Sequence, residues 1–249
     1  MVSALTPSSV MLIASDSKNK LAYMQKRLEG TGVSVLTLKD LDLPQADETG
    51  STTAENATLK SCEAAAQVDL DTVVRKVGHP VDKVVVMSED TGLEIPSLNN
   101  WPGPYFADLT QLPGGDRDED RGIDMVLQRL RGKKGDERKA VFTSTLAVTE
   151  VTADGVQGGP TLYTAATEGH ITENRCGRDG FGFDPIFSVQ DDRGRAVTFA
   201  QMSKIKRTEY NPRPKAMDQM LAVLYPKSAA APAQPGADLD RRPHPGDAR

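Results

Sequence analysis

The segment at residues 83–88, KVVVMS, constrains the fold more than any other part of the sequence. It is short and apolar on both faces, which is typical of a strand that is covered on both sides of a sheet. Residues 10–14 have the same character, and residues 33–38 are another strand candidate. A sheet that is buried on both faces needs helices on both sides, so these segments predict an α/β fold.

The remaining segments divide into helices and longer strands. Apolar residues at helical spacing, or a composition rich in Ala, Glu, Lys and Gln, predict helices at residues 19–28, 54–68, 121–131 and 215–224. Alternating patterns rich in β-branched residues predict antiparallel strands at residues 140–149 and 161–172. The expected architecture is a central sheet with helices outside, in which ligands commonly bind beyond the carboxyl ends of strands.

The composition limits the classes of function. The formal net charge of −5 argues against a nucleic-acid polymer as partner, since proteins of that class usually carry a basic patch. The two cysteines are too few for a disulfide framework and lack metal-ligand spacing, which predicts reduced thiols and a cytoplasmic location. The apolar run at residues 10–14 is too short for a secretion signal or a membrane span.

The domain organisation follows from length and from a change of composition near the carboxyl end. A chain of 249 residues fits one large α/β domain, which we place at residues 1–227. Residues 228–249 are rich in Ala, Pro, Gly, Asp and Arg and show no periodic apolar face. This composition predicts a disordered tail.

Two polar clusters in the amino-terminal half are candidates for phosphate binding. Residues 15–20, SDSKNK, lie between a predicted strand and a predicted helix, where backbone N–H groups favour an anion and Lys20 adds positive charge. Asn56 and Lys60 are four residues apart and share one face of a predicted helix. Each cluster also has an ordinary explanation: a polar turn for the first and a solvated helix face for the second.

Two adjacent carboxylates, Glu89 and Asp90, follow the apolar segment at residues 83–88. Carboxylates at the end of a buried strand are costly unless a cation compensates them. Mg²⁺ fits this need because it prefers carboxylate and phosphate oxygens and usually keeps some of its water. The alternative is an acidic turn that faces solvent.

Two further clusters are candidates for recognising a nucleobase. Residues 177–187 combine glycines with aromatic rings, so Phe181 or Phe183 is placed to stack on a flat ligand, although a tight turn with core aromatics fits the same pattern. Residues 204–215 are rich in Lys and Arg. Arginine suits phosphate or base-edge recognition, and a solvated surface is the alternative.

Taken in their order, these clusters resemble the inosine/xanthosine triphosphate pyrophosphatase family over about residues 10–224. The resemblance is carried by the following motifs: SDSKNK at 15–20, ETG at 48–50 with Glu55, Asn56 and Lys60, EDTGL at 89–93, PGPY at 102–105, and GFGFDPIF at 180–187. It implies hydrolysis of a non-canonical purine nucleoside triphosphate to the monophosphate and pyrophosphate. It also implies an elongated mixed sheet with flanking helices, two lobes around a long central cleft, a Mg²⁺ cofactor and a homodimer.

The resemblance also implies a role for each matching residue. Lys20 and Lys60 are expected to hold the triphosphate during catalysis, and Asp90 is expected to activate water as a general base or a metal-linked carboxylate. Glu48 is expected to bind Mg²⁺, with Asp90 and Glu89 at the same metal site. Phe181 is expected to stack on the base, and Asp184 to line its pocket. The expected substrate-binding residues are Ser15, Ser17, Asn56, Thr91, Phe181, Asp184, Arg207 and Arg213.

Other functions fit the same clusters. A nucleotide-binding regulatory protein that has lost turnover would keep the cleft, and retention of the expected catalytic residues disfavours it. A hydrolase for non-nucleotide phosphates would have no need for the loop that carries Phe181 and Asp184. A third possibility is a pyrophosphatase with altered base specificity in a specialised nucleotide pathway.

The expected base-reading segment departs from the family pattern. The family has a Lys, and five residues later a His-Arg pair with Ser before the His, whereas this chain has Arg207, Asn211, Pro212 and Arg213. Proline lacks a backbone N–H and fixes φ, so the donors and the shape of the segment change. The family's Tyr-Ser-Ala-Arg stretch is YFAD at 105–108, which exchanges a cation for an anion.

We therefore predict that selectivity for inosine or xanthosine is weakened or redirected, since an unpaired buried polar group costs about 1–3 kcal/mol. Pyrophosphate release measured over a panel of nucleoside triphosphates tests this prediction. A strong preference for ITP and XTP over GTP and ATP would contradict it.

Overall fold

The computed structural model describes residues 2–6 and 8–226, and the tail predicted at residues 228–249 lies outside them. In this part of the chain seven strands form one sheet. The strands are β1 Ser9–Ile13, β2 Ser34–Thr37, β3 Lys83–Glu94, β4 Lys139–Thr152, β5 Gly155–Ile171, β6 Phe187–Gln190 and β7 Ala196–Thr198. The helices are α1 Lys18–Leu28, α2 Thr53–Ala66, α3 Leu70–Val77, α4 Phe106–Leu109, α5 Glu119–Arg129, α6 Lys204–Tyr210 and α7 Pro212–Leu224.

The sheet is mixed, with the strand order β2-β1-β3-β4-β5-β6-β7. Strand β1 lies between β2 and β3 and is parallel to both. Every pairing from β3 outward to β7 is antiparallel. The predicted α/β class, with a mixed sheet and flanking helices, is confirmed.

The two long central strands, β3 and β4, have a polar middle between two apolar halves. In β3 the first half contributes to the clusters that pack under α1, α2 and α7, whereas Leu93 belongs to a separate cluster with residues of α5 and β6. The segment between them is polar in both strands, and Asp90 of β3 lies directly opposite Thr145 of β4. The polar middle therefore lies between the apolar clusters at the two ends of these strands.

Because successive side chains of a strand point to opposite faces of the sheet, the two carboxylates in the middle of β3 point apart. Glu89 faces helices α1 and α7, where it contacts Arg213. Asp90 faces α2, where it contacts Lys60. Two residues that are adjacent in the sequence thus belong to two different surroundings.

A second buried ion pair lies at the other end of the long strands β3 and β4. Lys83 Nζ lies 3.2 Å from Glu150 Oε1 and donates to the backbone oxygens of Ser3 and Ala4. The amide and hydroxyl of Ser3 both donate to the same Glu150 oxygen. This pair ties the amino-terminal segment to the sheet, far along β3 from the polar middle.

Several predicted boundaries are wrong, for identifiable reasons. The strand expected to end at Ser88 continues to Glu94, because its hydrogen bonds to β4 continue past the polar residues. The last helix begins at Pro212 and not at Lys215, since proline is well suited to the first turn of a helix. Helix α3 was not predicted, although Asp69 caps its start and Gly78 its end. The short elements α4, α6, β6 and β7 were not predicted either. No helix in residues 2–6 and 8–226 is long and apolar enough to cross a bilayer.

Candidate active site

Helix α2 places Asn56 and Lys60 inside the protein. The helix begins with a reciprocal cap, in which Thr52 Oγ1 accepts from the amide of Glu55 and Glu55 Oε2 accepts from the amide of Thr52, both at 3.1 Å. Asn56 is 1% exposed and Lys60 is 3% exposed. The alternative of a solvated helix face is therefore wrong for both residues.

The ammonium of Lys60 lies between two carboxylates. Its Nζ donates to Glu48 Oε1 at 3.0 Å and to Asp90 Oδ1 at 3.1 Å. Burial raises the pKa of Asp90, while the positive charges of Lys60 and Lys20 act in the opposite direction. Within the described residues, Asp90 Oδ2 is buried without a hydrogen-bond partner. This oxygen can accept a further donor or a cation.

The loop that carries Glu48 is fixed from two sides. The amide of Gly50 donates to Asn56 Oδ1 at 2.7 Å, and the hydroxyl of Tyr105 donates to the carbonyl of Gly50 at 2.6 Å. A Cβ at Gly50 would lie 2.6 Å from Glu55 Cβ, so glycine is required by the close packing on α2. The structure thus gives the Asn56 oxygen a part in anchoring this loop, while the Glu48 side chain stays 44% exposed toward solvent.

Glu89 is surrounded by donors on the opposite face of β3. Its Oε1 accepts from Ser144 Oγ at 2.8 Å and from Arg213 Nε at 2.7 Å, and its Oε2 lies 3.6 Å from Lys20 Nζ. Burial alone would raise the pKa of Glu89, but the charges of Lys20 and Arg213 and the hydrogen bonds lower the pKa to about 2. Glu89 is therefore an ionised, buried carboxylate.

The structure does not bring Glu89 together with the carboxylates of Glu48 and Asp90. Its side chain points to the other face of β3, where Oε1 accepts from Ser144 and Arg213, while Oε2 is buried without a hydrogen-bond partner in the described residues and faces the Lys20 ammonium at 3.6 Å. In the part of the chain that the structure describes, no group of three or more His, Cys, Asp or Glu residues is arranged to hold a metal ion.

Lys20 connects the two faces. Its Nζ donates to the backbone carbonyl of Glu89 at 3.2 Å, and its charge also acts on Asp90. Lys20 lies in the first turn of α1, after Ser17 at the helix start, whose amide donates to Ser15 Oγ at 3.2 Å. The amino end of this helix directs backbone N–H groups and positive potential toward the polar middle.

The glycine-rich loop separates its two aromatic side chains. Phe183 packs edge-to-face against Phe106 and Phe142, with ring centroids 5.2 Å and 4.9 Å away. Phe181 is 56% exposed. Of the two rings predicted as candidates for stacking, Phe181 is accessible to a ligand and Phe183 belongs to the core.

Asp184 holds the loop in shape. Its Oδ2 accepts from the amide of Phe181 at 3.1 Å and lies 3.7 Å from Arg207 Nη1. A Cβ at Gly180 would lie 2.1 Å from the same oxygen, so glycine is needed there. The loop is also held by Glu119, whose Oε2 accepts from the amide of Gly182 at 2.9 Å. Burial raises the pKa of Asp184 to about 6, although Arg207 acts against this shift.

The segment that departs from the family pattern forms the start of α7. Asn211 Oδ1 accepts from the amide of Arg213 at 2.9 Å, and Pro212 is buried at the first helical position. Both residues therefore serve the helix start. Arg213 points its Nε at Glu89, and Arg207 lies beside Asp184 on α6.

The remaining predicted binding residue and three unpredicted ones complete the site. Thr91 is half-buried on β3, opposite Ser144. Ser144, Tyr105 and Glu119 each contact a predicted site residue or its loop and were not predicted as site residues. Only Tyr105 had a signal, because it ends the PGPY motif at 102–105. Ser144 and Glu119 meet the site through strand pairing and helix packing, which no local pattern reveals.

Residues 11–223 match the model of the Ham1 family. This chain belongs to the Ham1 family. A dITP/XTP pyrophosphatase of Leuconostoc mesenteroides is 30% identical over 84% of this chain and 94% of that relative. A dITP/XTP pyrophosphatase of Listeria monocytogenes is 32% identical over 85% of this chain and 93% of that relative. The predicted resemblance to a pyrophosphatase family is confirmed.

Solved structures agree with this assignment. The structure of a HAM1 protein from Coxiella burnetii matches with a TM-score of 0.69 and 28% identity, over 86% of this chain and 97% of that chain. The structure of the Staphylococcus aureus Ham1 protein matches with a TM-score of 0.68 and 27% identity, over 87% and 98%. The fold of this Ham1-family chain therefore extends over nearly the whole of both known structures.

Asp184 is expected to make stability depend on pH. Since burial raises the pKa of Asp184 from its ordinary value near 4 to about 6, the folded protein keeps a proton that the unfolded chain releases in this window. The free energy of unfolding therefore falls as pH rises from about 4 to about 6, by about 1–3 kcal/mol from this group. Urea unfolding at several pH values should show a smaller fall for Asp184→Asn. The matched control Asp179→Asn, in the same loop, should keep the wild-type pH dependence; equal curves for all three proteins would contradict this account.

Proposed function

We propose that this chain hydrolyses a non-canonical or modified purine nucleoside triphosphate to the nucleoside monophosphate and pyrophosphate. The observation that carries the proposal is the position of Lys60, held between Glu48 and Asp90 in the polar middle of the sheet. The activity named for the Leuconostoc and Listeria relatives supports the same reaction.

The charges around the polar middle balance before substrate binds. The cations of Lys20, Lys60 and Arg213 face the carboxylates of Glu48, Glu89 and Asp90, in equal number. A triphosphate brings about four negative charges, which this neutral set alone does not compensate. Binding of the substrate therefore calls for an additional cation.

Mg²⁺ fits the residues that are present. Asp90 Oδ2 is buried without a hydrogen-bond partner in the described chain. The half-exposed carboxylate of Glu48 lies nearby, because Lys60 Nζ contacts both Glu48 and Asp90. Mg²⁺ is commonly bound by one or two carboxylates together with substrate phosphates, so Glu48 and Asp90 would hold it. When bound, Mg²⁺ supplies positive charge for the phosphates and polarises their oxygens. Glu89 is not part of this proposed metal site.

The chain's own residues account for the proton and the phosphate charges. Asp90 accepts a proton from the water that attacks the α-phosphorus, and its Oδ2, which has no hydrogen-bond partner in the described chain, is the oxygen available to take it. The bond between the α-phosphorus and the bridging oxygen breaks, and pyrophosphate leaves with that oxygen. Lys60 and Lys20 offset the charge that develops on the phosphates.

Recognition of the base falls to the glycine-rich loop. Phe181 offers an exposed ring for stacking, and Asp184 and Arg207 present a carboxylate and a guanidinium beside it. We assign Ser15 and Ser17, at the start of α1, and Thr91, next to Asp90 on β3, to the phosphate side of the substrate. A homodimer is part of the same proposal, on the strength of the family resemblance. The free thiols of Cys62 and Cys176 are consistent with a reducing compartment.

Substitution of the proposed base tests the reaction. We expect Asp90→Asn to lower the rate of pyrophosphate release at least about 100-fold, because the variant cannot accept the proton and loses one of the two carboxylates proposed to hold Mg²⁺. Nucleotide binding is largely kept, because Lys20, Lys60, Glu48 and the base-binding loop are unchanged. Product analysis should separate pyrophosphate from orthophosphate. Glu94→Gln, further along the same strand, is the matched control and should stay within about twofold of wild type. A wild-type protein that binds nucleotides but releases no pyrophosphate would instead support a regulatory protein without turnover.

A further inference from the structure

The buried carboxylate of Glu89 connects three parts of the fold. It receives hydrogen bonds from Ser144 on β4 and from Arg213 on α7, and it forms an ion pair with Lys20 on α1. Its side chain has no solvent exposure, whereas those of Lys20 and Arg213 keep 17% and 15%. The two cations thus contact the same buried carboxylate, while each cationic side chain stays partly exposed to solvent.

Lys20 is fixed by Glu89 through two different atoms. Its Nζ lies 3.2 Å from the backbone carbonyl of Glu89 and 3.6 Å from the carboxylate Oε2. A lysine has four rotatable side-chain bonds, so its ammonium needs such partners to keep one position. The next residue along β3 is Asp90, and the carbonyl of Glu89 therefore holds Lys20 close to the proposed base.

A second buried ion pair on the same strands differs from the Glu89 pair in its surroundings. Lys83 and Glu150 form a second ion pair of similar burial, at 3.2 Å, at the opposite end of the same strands. The Lys83 ammonium is enclosed by backbone oxygens and the side chain of Ser3. The Lys20 ammonium instead stays partly exposed and contacts the backbone carbonyl of Glu89, next to Asp90, which a stabilising pair alone does not require.

We propose that Glu89 is a positioning residue for the reaction and not a metal ligand. Its ionised carboxylate holds the Lys20 ammonium toward the phosphates and ties α7 to the sheet through Arg213. This inference rests on the proposed function. It differs from the expectation drawn from the sequence, in which Glu89 shares the metal site with Glu48 and Asp90.

The variant Glu89→Gln keeps the size of the side chain and removes its charge. We expect kcat for pyrophosphate release to fall about 10- to 100-fold, because Lys20 keeps only the backbone carbonyl of Glu89 as a partner and loses the ion pair that also fixes its position. KM for the nucleotide should not rise, since the site becomes more positive by one charge and still attracts the triphosphate. The Mg²⁺ concentration that gives half-maximal activity should stay at the wild-type value, whereas Glu48→Gln should raise it.

A double-mutant cycle shows whether Glu89 acts through Lys20. Lys20→Met, Glu89→Gln and the double variant are compared for kcat, and the double variant should be no slower than Lys20→Met alone. Independent roles would instead multiply the two losses. Direct Mg²⁺ binding to the nucleotide-free protein, measured by titration calorimetry, should be equal in wild type and Glu89→Gln.

Stability is measured for each variant, so that unfolding is not mistaken for a loss of positioning. Glu150→Gln is the matched control: it breaks the other buried pair and should lower thermal stability while leaving kcat within about twofold of wild type. If Glu89→Gln does not fold, Ser144→Ala removes one hydrogen bond from the same carboxylate, and the same cycle with Lys20→Met applies.

Three results would overturn the inference: an unchanged kcat, multiplied losses in the cycle, or weaker Mg²⁺ binding in Glu89→Gln. A failure of the proposed function is recognised separately, because the wild-type protein would then release no pyrophosphate from any nucleoside triphosphate.

Discussion

The structure depends on one interaction, the sharing of the Lys60 ammonium by Glu48 and Asp90 in the middle of the sheet. A buried ammonium is costly unless it is paired with an anion. The shared arrangement pairs the buried Lys60 ammonium with two carboxylates and leaves Asp90 with an oxygen that has no partner in the described chain. The capped start of α2 and the contacts that hold Gly50 serve to keep this arrangement in place.

Strand geometry then divides the acidic pair of β3 between two tasks. Glu89 and Asp90 are neighbours in the sequence, but the pleat of the strand sends them to opposite faces of the sheet. Two cations and a hydroxyl hold the pKa of Glu89 low, and burial raises the pKa of Asp90. Environment, and not residue type, thus separates a fixed anion from a proposed base. The polar middle that accommodates both residues also interrupts the hydrophobic core, which is why the apolar residues form separate clusters on either side of it.

The sequence predicted strands β1 to β5, helices α1, α2, α5 and α7, and the polar clusters, because each of these has a local pattern. It failed where long-range pairing decides the outcome. Glu89 and Asp90 look like a turn after a strand, and only hydrogen bonding to β4 shows that the strand continues through them. The position of Asn56 on a predicted helix also fits a surface residue. Its burial becomes clear only from the Gly50 amide, which donates to its side-chain oxygen. The partner of Glu89 on α7, Arg213, lies more than a hundred residues away, so its ion pair cannot be deduced from spacing.

The most direct test of the central claim is a crystal structure of the Asp90→Asn variant with Mg²⁺ and a nucleoside triphosphate. We expect the phosphates to occupy the polar middle, with Lys20 and Lys60 at hydrogen-bond distance from them. Mg²⁺ should be bound by Glu48 and the phosphates. The base should lie against Phe181. Binding of the nucleotide away from Lys60, for example in the surface cavity of about 410 Å³ beside Arg195 and Tyr210, would contradict the account.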